Sequence, residues 1–252
     1  TPRYDVALRA SRLFLDPNIP FSGVTAKLSK LGDDLISLDF QGKVEDARLS
    51  AIQKQNADGS RTLDIVGSET GEILQALDIT DTVRGGALRL TGKSSPQTPQ
   101  RIEGTVQLDK FTVVKAPVLA QLINALSPVG LLELLNNNGL NFDTLKSKII
   151  FENPSLIRLR EGRMAGTSLG LGFSGRVHRD TDTVNLKGTL VPIEGLNKIA
   201  SKIPLLGQIL TGVKGEGILA ATYTIKGPTN NPNVTVNPLS ALAPGILRSI
   251  FF

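Results

Sequence analysis

Gly170-Leu171-Gly172-Phe173-Ser174-Gly175 has the glycine spacing of a dinucleotide-binding loop, and Gly166-Thr167-Ser168-Leu169-Gly170, overlapping it, has that of a hydrolase nucleophile elbow. The first chemistry needs a strand that runs into a helix, whose first amides hold a pyrophosphate. The second needs a strained strand-to-helix turn and a histidine to take the serine's proton. Neither context is present. Arg176-Val177-His178-Arg179 continues the alternation of a strand, and no helix opens. The chain's one histidine, His178, lies ten residues beyond Ser168 along the same or the next extended segment, so it does not easily fold back to that hydroxyl. Gly92-Lys93-Ser94 ends like a phosphate-binding loop, but its upstream glycine, Gly86, is one residue too far, and Leu88 and Leu90 alternate between them.

Metal chemistry has as little to work with. The chain holds no cysteine and one histidine, which leaves carboxylates. Asp180 with Asp182, and Asp33 with Asp34, sit where turns are expected, which explains them without calcium. Paired acids of the glycosidase kind meet in space and are not read from spacing. The expectation is a protein with no catalytic residues, no metal and no cofactor.

Composition narrows the partners. The 252 residues suffice for one large β-rich domain or two small ones. The apolar 40% is aliphatic, with no Trp and two Tyr, so the interior is expected to be built of Leu, Ile, Val and Ala. A net charge of +5 favours anionic surfaces mildly. Lys and Arg are scattered without the aromatic interleaving that base stacking requires, which argues against nucleic acid. No apolar run reaches the ~18 residues of a membrane-spanning helix. With Thr1 first and Met164 the only methionine, the expectation is a processed chain or a piece of a longer one.

The elements that must carry any function are strands. Val6, Leu8 and Ala10 alternate, as do Val24, Ala26 and Leu28; Leu88 and Leu90; and Ile102, Gly104, Val106 and Leu108. In the second half Leu145, Ile149 and Phe151 share a face, then Leu169, Leu171, Phe173 and Val177, then Val184, Leu186 and Leu190, then Leu219, Ala221, Tyr223 and Ile225. Turn residues such as Asp58-Gly59 and Asp180-Thr181-Asp182 separate the runs. The fold class expected is mainly β: a long antiparallel meander of roughly ten strands, curled into a groove or half-barrel and capped by a few short apolar helices.

Helical spacing predicts those helices at Thr70–Leu77, at Ala116–Leu126 with Pro117 in its first turn and Leu131–Leu135 continuing it, and at Leu196–Ile203, running into an apolar segment to Leu210. A last pair is predicted where Asn237 caps and Pro238 opens a helix bearing Leu239 and Leu242, and Pro244 restarts it for Ile246, Leu247, Ile250 and Phe251. Ser94–Pro99, rich in Ser and Pro, is either a boundary between an N-terminal part (1–98) and a C-terminal part (99–252) or a long hairpin loop.

Ten strands at ~4.8 Å spacing make a surface about 50 Å long, more than a few short helices cover. Aliphatic walls without convergent polar groups suit saturated acyl chains better than sugars or nucleotides. The residues predicted to face lipid are Leu169, Leu171, Phe173, Val177, Leu186, Leu190, Leu219, Ala221 and Tyr223. Those predicted to form a cap or touch a membrane are Leu239, Leu242, Ile246, Leu247, Ile250 and Phe251. The apolar tail fits either across the groove's mouth or in a bilayer interface.

The segments FTVVKAPVLAQLINALSPVGLLELL (111–135), GTSLGLGFSG (166–175), GTLVPIEGLN (188–197), IPLLG (203–207), AATYTIKGP (220–228) and NVTVNPLSALAPG (233–245) together resemble the C-terminal domain of AsmA-like proteins, of the YhdP and TamB type found in Gram-negative bacteria. The resemblance spans roughly residues 100 to 252; the first hundred fit in style. It implies an inner-membrane anchor upstream, a periplasmic β-groove, and movement of phospholipid toward the outer membrane, with no catalytic residues to carry over. On that reading the partners are phospholipid and a membrane surface. The alternative is an assembly factor that grips an outer-membrane protein by a sheet edge and the C-terminal helices. A hydrolase built on Ser168 is the third reading.

Overall fold

The computed structural model describes residues 2–124, 138–192 and 220–239. Among them thirteen strands form one sheet in strict chain order, each antiparallel to the last. They are β1 (Arg3–Phe14), β2 (Pro20–Leu31), β3 (Asp34–Val44), β4 (Ala47–Gln55), β5 (Arg61–Gly67), β6 (Val83–Lys93), β7 (Ile102–Val113), β8 (Leu140–Asn153), β9 (Leu156–Gly166), β10 (Leu169–His178), β11 (Thr183–Pro192), β12 (Ala220–Pro228) and β13 (Asn233–Leu239). The sheet does not close into a barrel; β1 and β13 are its edges. The meander expected from alternation is therefore present, with three more strands than the roughly ten expected. Ser94–Gln100 lies in the loop between the paired strands β6 and β7, so residues before and after it share one sheet.

Turn chemistry sets the hairpins. Asp58 Oδ1 accepts from the Ser60 amide (2.9 Å) and hydroxyl (2.6 Å), and Gly59 takes the left-handed φ of 86° that this turn needs. Asn153 Oδ1 accepts from the amides of Ser155 (2.9 Å) and Leu156 (3.0 Å) to turn β8 into β9.

Two short helices are described, α1 (Thr70–Ala76) between β5 and β6 and α2 (Pro117–Asn124) after β7. Both lie where the periodicity predicts, and α2 opens on Pro117. The helix predicted to open at Asn237-Pro238 is not one at its start. Asn237, Pro238 and Leu239 finish β13, opposite Thr222, Ala221 and Ala220. The alternation of Val234 and Val236 carries the strand onward along the open side of β12, and a proline is tolerated because β13 is an edge. The rest of that prediction (240–252), the helix at 196–210 and the extension at 126–135 lie outside the described residues.

In a meander the odd-numbered strands all finish at the same end of the sheet. Both helices leave from that end, and there too the chain leaves β11 at Pro192 and β13 at Leu239. The buried clusters sit beneath that end. One gathers Phe21, Val24, Val44, Ala47 and Leu49 with Ile73 and Ala76 of α1. The other gathers Phe111, Phe142, Leu169, Leu171, Leu190 and Tyr223 with Leu119, Leu122 and Ile123 of α2. Burying Ile73 or Ile123, each 1% exposed, is worth roughly 1.5–3 kcal/mol, which is what holds such short helices in place.

Candidate functional site

Residues paired directly across an antiparallel ladder point to the same face. Followed strand by strand, the pairing draws one unbroken rank across all thirteen strands: Val6, Leu28, Leu38, Gln53, Leu63, Gly92, Gly104, Ile149, Leu159, Gly175, Leu186, Ile225 and Val234. Gln53 is its one polar member. A parallel rank nearer the helices runs Leu49, Gly67, Leu88, Leu108, Leu145, Met164, Leu171, Leu190 and Ala221. The whole sheet thus presents a single apolar face.

That face is sealed at one end; beyond it the half-buried Leu38, Leu63, Leu159 and Leu186 share their rank with the buried Gln53, Ile149 and Ile225. Leu169, Leu171, Leu190, Ala221 and Tyr223, all predicted to face lipid, are buried in the α2 cluster, between 0% and 4% exposed. Phe173, Val177 and Leu186 share the face and are half-buried. Leu219 lies outside the described residues, as do Leu242, Ile246, Leu247, Ile250 and Phe251; Leu239 ends β13. The structure therefore brings eight of the nine lipid-facing candidates onto one surface and divides them between closed core and open floor. Sequence reasoning passed over much of that floor: Leu38, Leu63 and Leu159 are half-buried and belong to neither buried cluster. The alternation in Leu63 and Ile65 was present, but short and interrupted by charge.

Aromatic rings lie across glycines to line part of the floor. Val236, Tyr223, Gly188, Phe173 and Gly162 form one rank from β13 to β9. A methyl group on Gly162 would stand 2.2 Å from the Phe173 ring, and one on Gly188 would stand 2.6 Å from the Tyr223 oxygen. Tyr223 donates its hydroxyl to the Gly172 carbonyl at 3.0 Å, and burial pushes its pKa upward.

The far end of the face carries polar groups in β3 to β5. Arg61, two residues before Leu63, is buried and donates from its two terminal guanidinium nitrogens to Asp34 at 2.7 and 2.6 Å. The Leu35 carbonyl accepts from Arg61 (3.1 Å) and from the buried Gln53 amide (2.5 Å). Hydrogen bonding to Arg61 holds the Asp34 carboxyl below the ordinary carboxylate range.

The opposite face is charged. Lys146 stands directly opposite Arg163, Lys148 opposite Arg160, and Arg176 opposite Arg158. Two carboxylates reach the group, Glu161 to Lys148 (2.7 Å) and Glu152 to Arg158 (2.9 Å). A shallow hollow of about 540 Å³ is lined by Arg158, Arg160, Ser174, Arg176, Asn185 and Lys187.

The motifs that could have carried catalysis fall on this scaffold as strand and turn. The glycine-rich segment is β10, followed by β11 and not by a helix. Ser168 lies in the turn before β10 and His178 at that strand's other end, about 30 Å away at ~3.3 Å per residue. Among the described residues no group of three His, Asp or Glu could hold a metal ion, and no helix is long and apolar enough to cross a membrane.

No family model matches the chain, and comparison with curated proteins and with solved structures returns no match. The likeness to AsmA-like proteins stands on the quoted segments alone.

Proposed function

We propose that this chain is a phospholipid-binding and transport module of the AsmA-like kind, periplasmic and working between inner and outer membrane, along whose apolar face acyl chains lie. One observation carries the reading: a single apolar rank crosses all thirteen strands of an unclosed sheet, and the described helices cover it at one end only. The half-open floor at Leu38, Leu63, Leu159 and Leu186 is where a chain would lie, each buried methylene contributing about 0.8 kcal/mol. Such contact is non-directional, so tails slide while headgroups stay in water. Compartment and direction come from the resemblance.

A second reading, an assembly factor that binds another polypeptide by its edge, is favoured by β1. That strand is exposed along nearly its whole length, with Tyr4, Val6 and Leu8 at 54%, 49% and 40%. Photoreactive residues placed at Leu38 and Leu63, and separately at Val6 and Leu8, separate the two. Lipid captured at the floor supports transport. Capture of protein alone, at floor and edge alike, overturns it in favour of assembly.

A further inference from the structure

The 28 Lys and Arg residues form no tract in the sequence, yet folding gathers a block of them on the outer face of β8–β11, opposite the apolar one. Three directly opposed pairs of cations on adjacent strands repel one another, an arrangement that folding alone does not favour. The two carboxylates that reach the block pair with Lys148 and Arg158, and the Glu161 charge also attracts Arg160 and Arg163 from beyond ion-pair distance. Among the described residues none forms an ion pair with Arg160, Arg163, Arg176 or Lys187, and Arg160, Arg176 and Lys187 are exposed. The hollow between them adds the hydroxyl of Ser174 and the amide of Asn185, both able to donate to a phosphate oxygen.

We propose that this outer face docks on an anionic phospholipid membrane, with Arg160, Arg163, Arg176 and Lys187 meeting the headgroup phosphates. An array of long cationic side chains matches many mobile point charges. A nucleic acid would call for aromatic stacking surfaces, which this face lacks. A peptide strand would need an open sheet edge, whereas β8–β11 are paired on both sides. Because the contact uses the outer face, the apolar face stays accessible. The inference is independent of the lipid-conduit reading, and either can fail without the other.

The test is cosedimentation of the 252-residue chain with vesicles of phosphatidylcholine, and with the same vesicles containing phosphatidylglycerol. Binding to the anionic vesicles should be stronger by at least about tenfold and should fade as salt is raised. The variant Arg160→Gln/Arg176→Gln/Lys187→Gln should lose that preference while keeping its β-sheet circular dichroism. Equal binding to both vesicles overturns the proposal, as does an unaltered preference in the variant. Retention on polyglutamate without binding to vesicles overturns it too, by making the partner an acidic polypeptide. Should the variant misfold, the lipid and salt dependence of the unaltered chain decides by itself.

Discussion

Tyr223 lies across Gly188, its ring filling the space where a side chain on the neighbouring strand would stand, and its hydroxyl reaches the Gly172 carbonyl one strand further on. A methyl group at Gly188 would meet that carbonyl at 1.9 Å, so backbone as well as ring has to move. Gly188→Ala is expected to cost at least about 2 kcal/mol in urea denaturation, and Tyr223→Phe, which loses only the hydrogen bond, about 1 kcal/mol. Equal costs would mean that the ring's position does not depend on the glycine.

Asp34 and Arg61 provide a test by pH. The Asp34 carboxyl is held below its ordinary value, so its stabilising contribution is complete above the ordinary carboxylate range and is lost as pH falls through the lowered folded-state value. Asp34→Asn leaves the Arg61 guanidinium buried without a counter-charge and should cost about 3 kcal/mol at neutral pH. Thermal melts of this variant should show less loss of stability on acidification than those of the parent. A double replacement, Asp34→Leu with Arg61→Leu, should recover much of the deficit.

Leu63 and Leu171 share a face and differ in what covers them. Leu171 is 4% exposed within the α2 cluster, so Leu171→Asp should abolish folding, since the cost exceeds about 4 kcal/mol. Leu63 is half-buried on the open floor. Leu63→Asp should keep the sheet and reduce the lipid that mass spectrometry finds with the purified protein. A folded Leu63→Asp protein with undiminished lipid would remove the floor from the acyl path.

Glu72 on α1 has the opposite pH behaviour to Asp34. Its Oε2 is buried without a hydrogen-bond partner, and burial, joined by the nearby charges of Glu45, Glu69 and Asp46, raises its carboxyl pKa. The cost of ionising it is present above the raised folded-state value and is relieved as pH falls through it. Glu72→Gln should therefore stabilise the protein near neutral pH by under about 1 kcal/mol, and the gain should vanish below the ordinary carboxylate range near about pH 4. Paired melting curves across that range are the check.

Much of the architecture was legible because alternation is a local signal. Leu169, Leu171 and Phe173 announce a strand wherever their neighbours lie, and Pro117 announces a helix start. Which of those side chains stay open is a question of cover, and cover comes from elements distant in sequence: Leu171 is sealed beside Leu119 and Ile123. The strand at Asn237-Pro238-Leu239 was misread for a similar reason, since a local capping pattern lost to the unpaired side of β12. The cationic block on β8–β11 was invisible because Arg160 and Arg176 come together only through the register of the folded sheet.

The rank that crosses the sheet from Val6 to Val234 takes one residue from each strand, each directly opposite the next. Length and bore are consequently decoupled. Each additional hairpin would extend such a sheet by about 9.6 Å without altering its cross-section. Reach could then be set by counting strands, while the fit to whatever lies inside stayed constant.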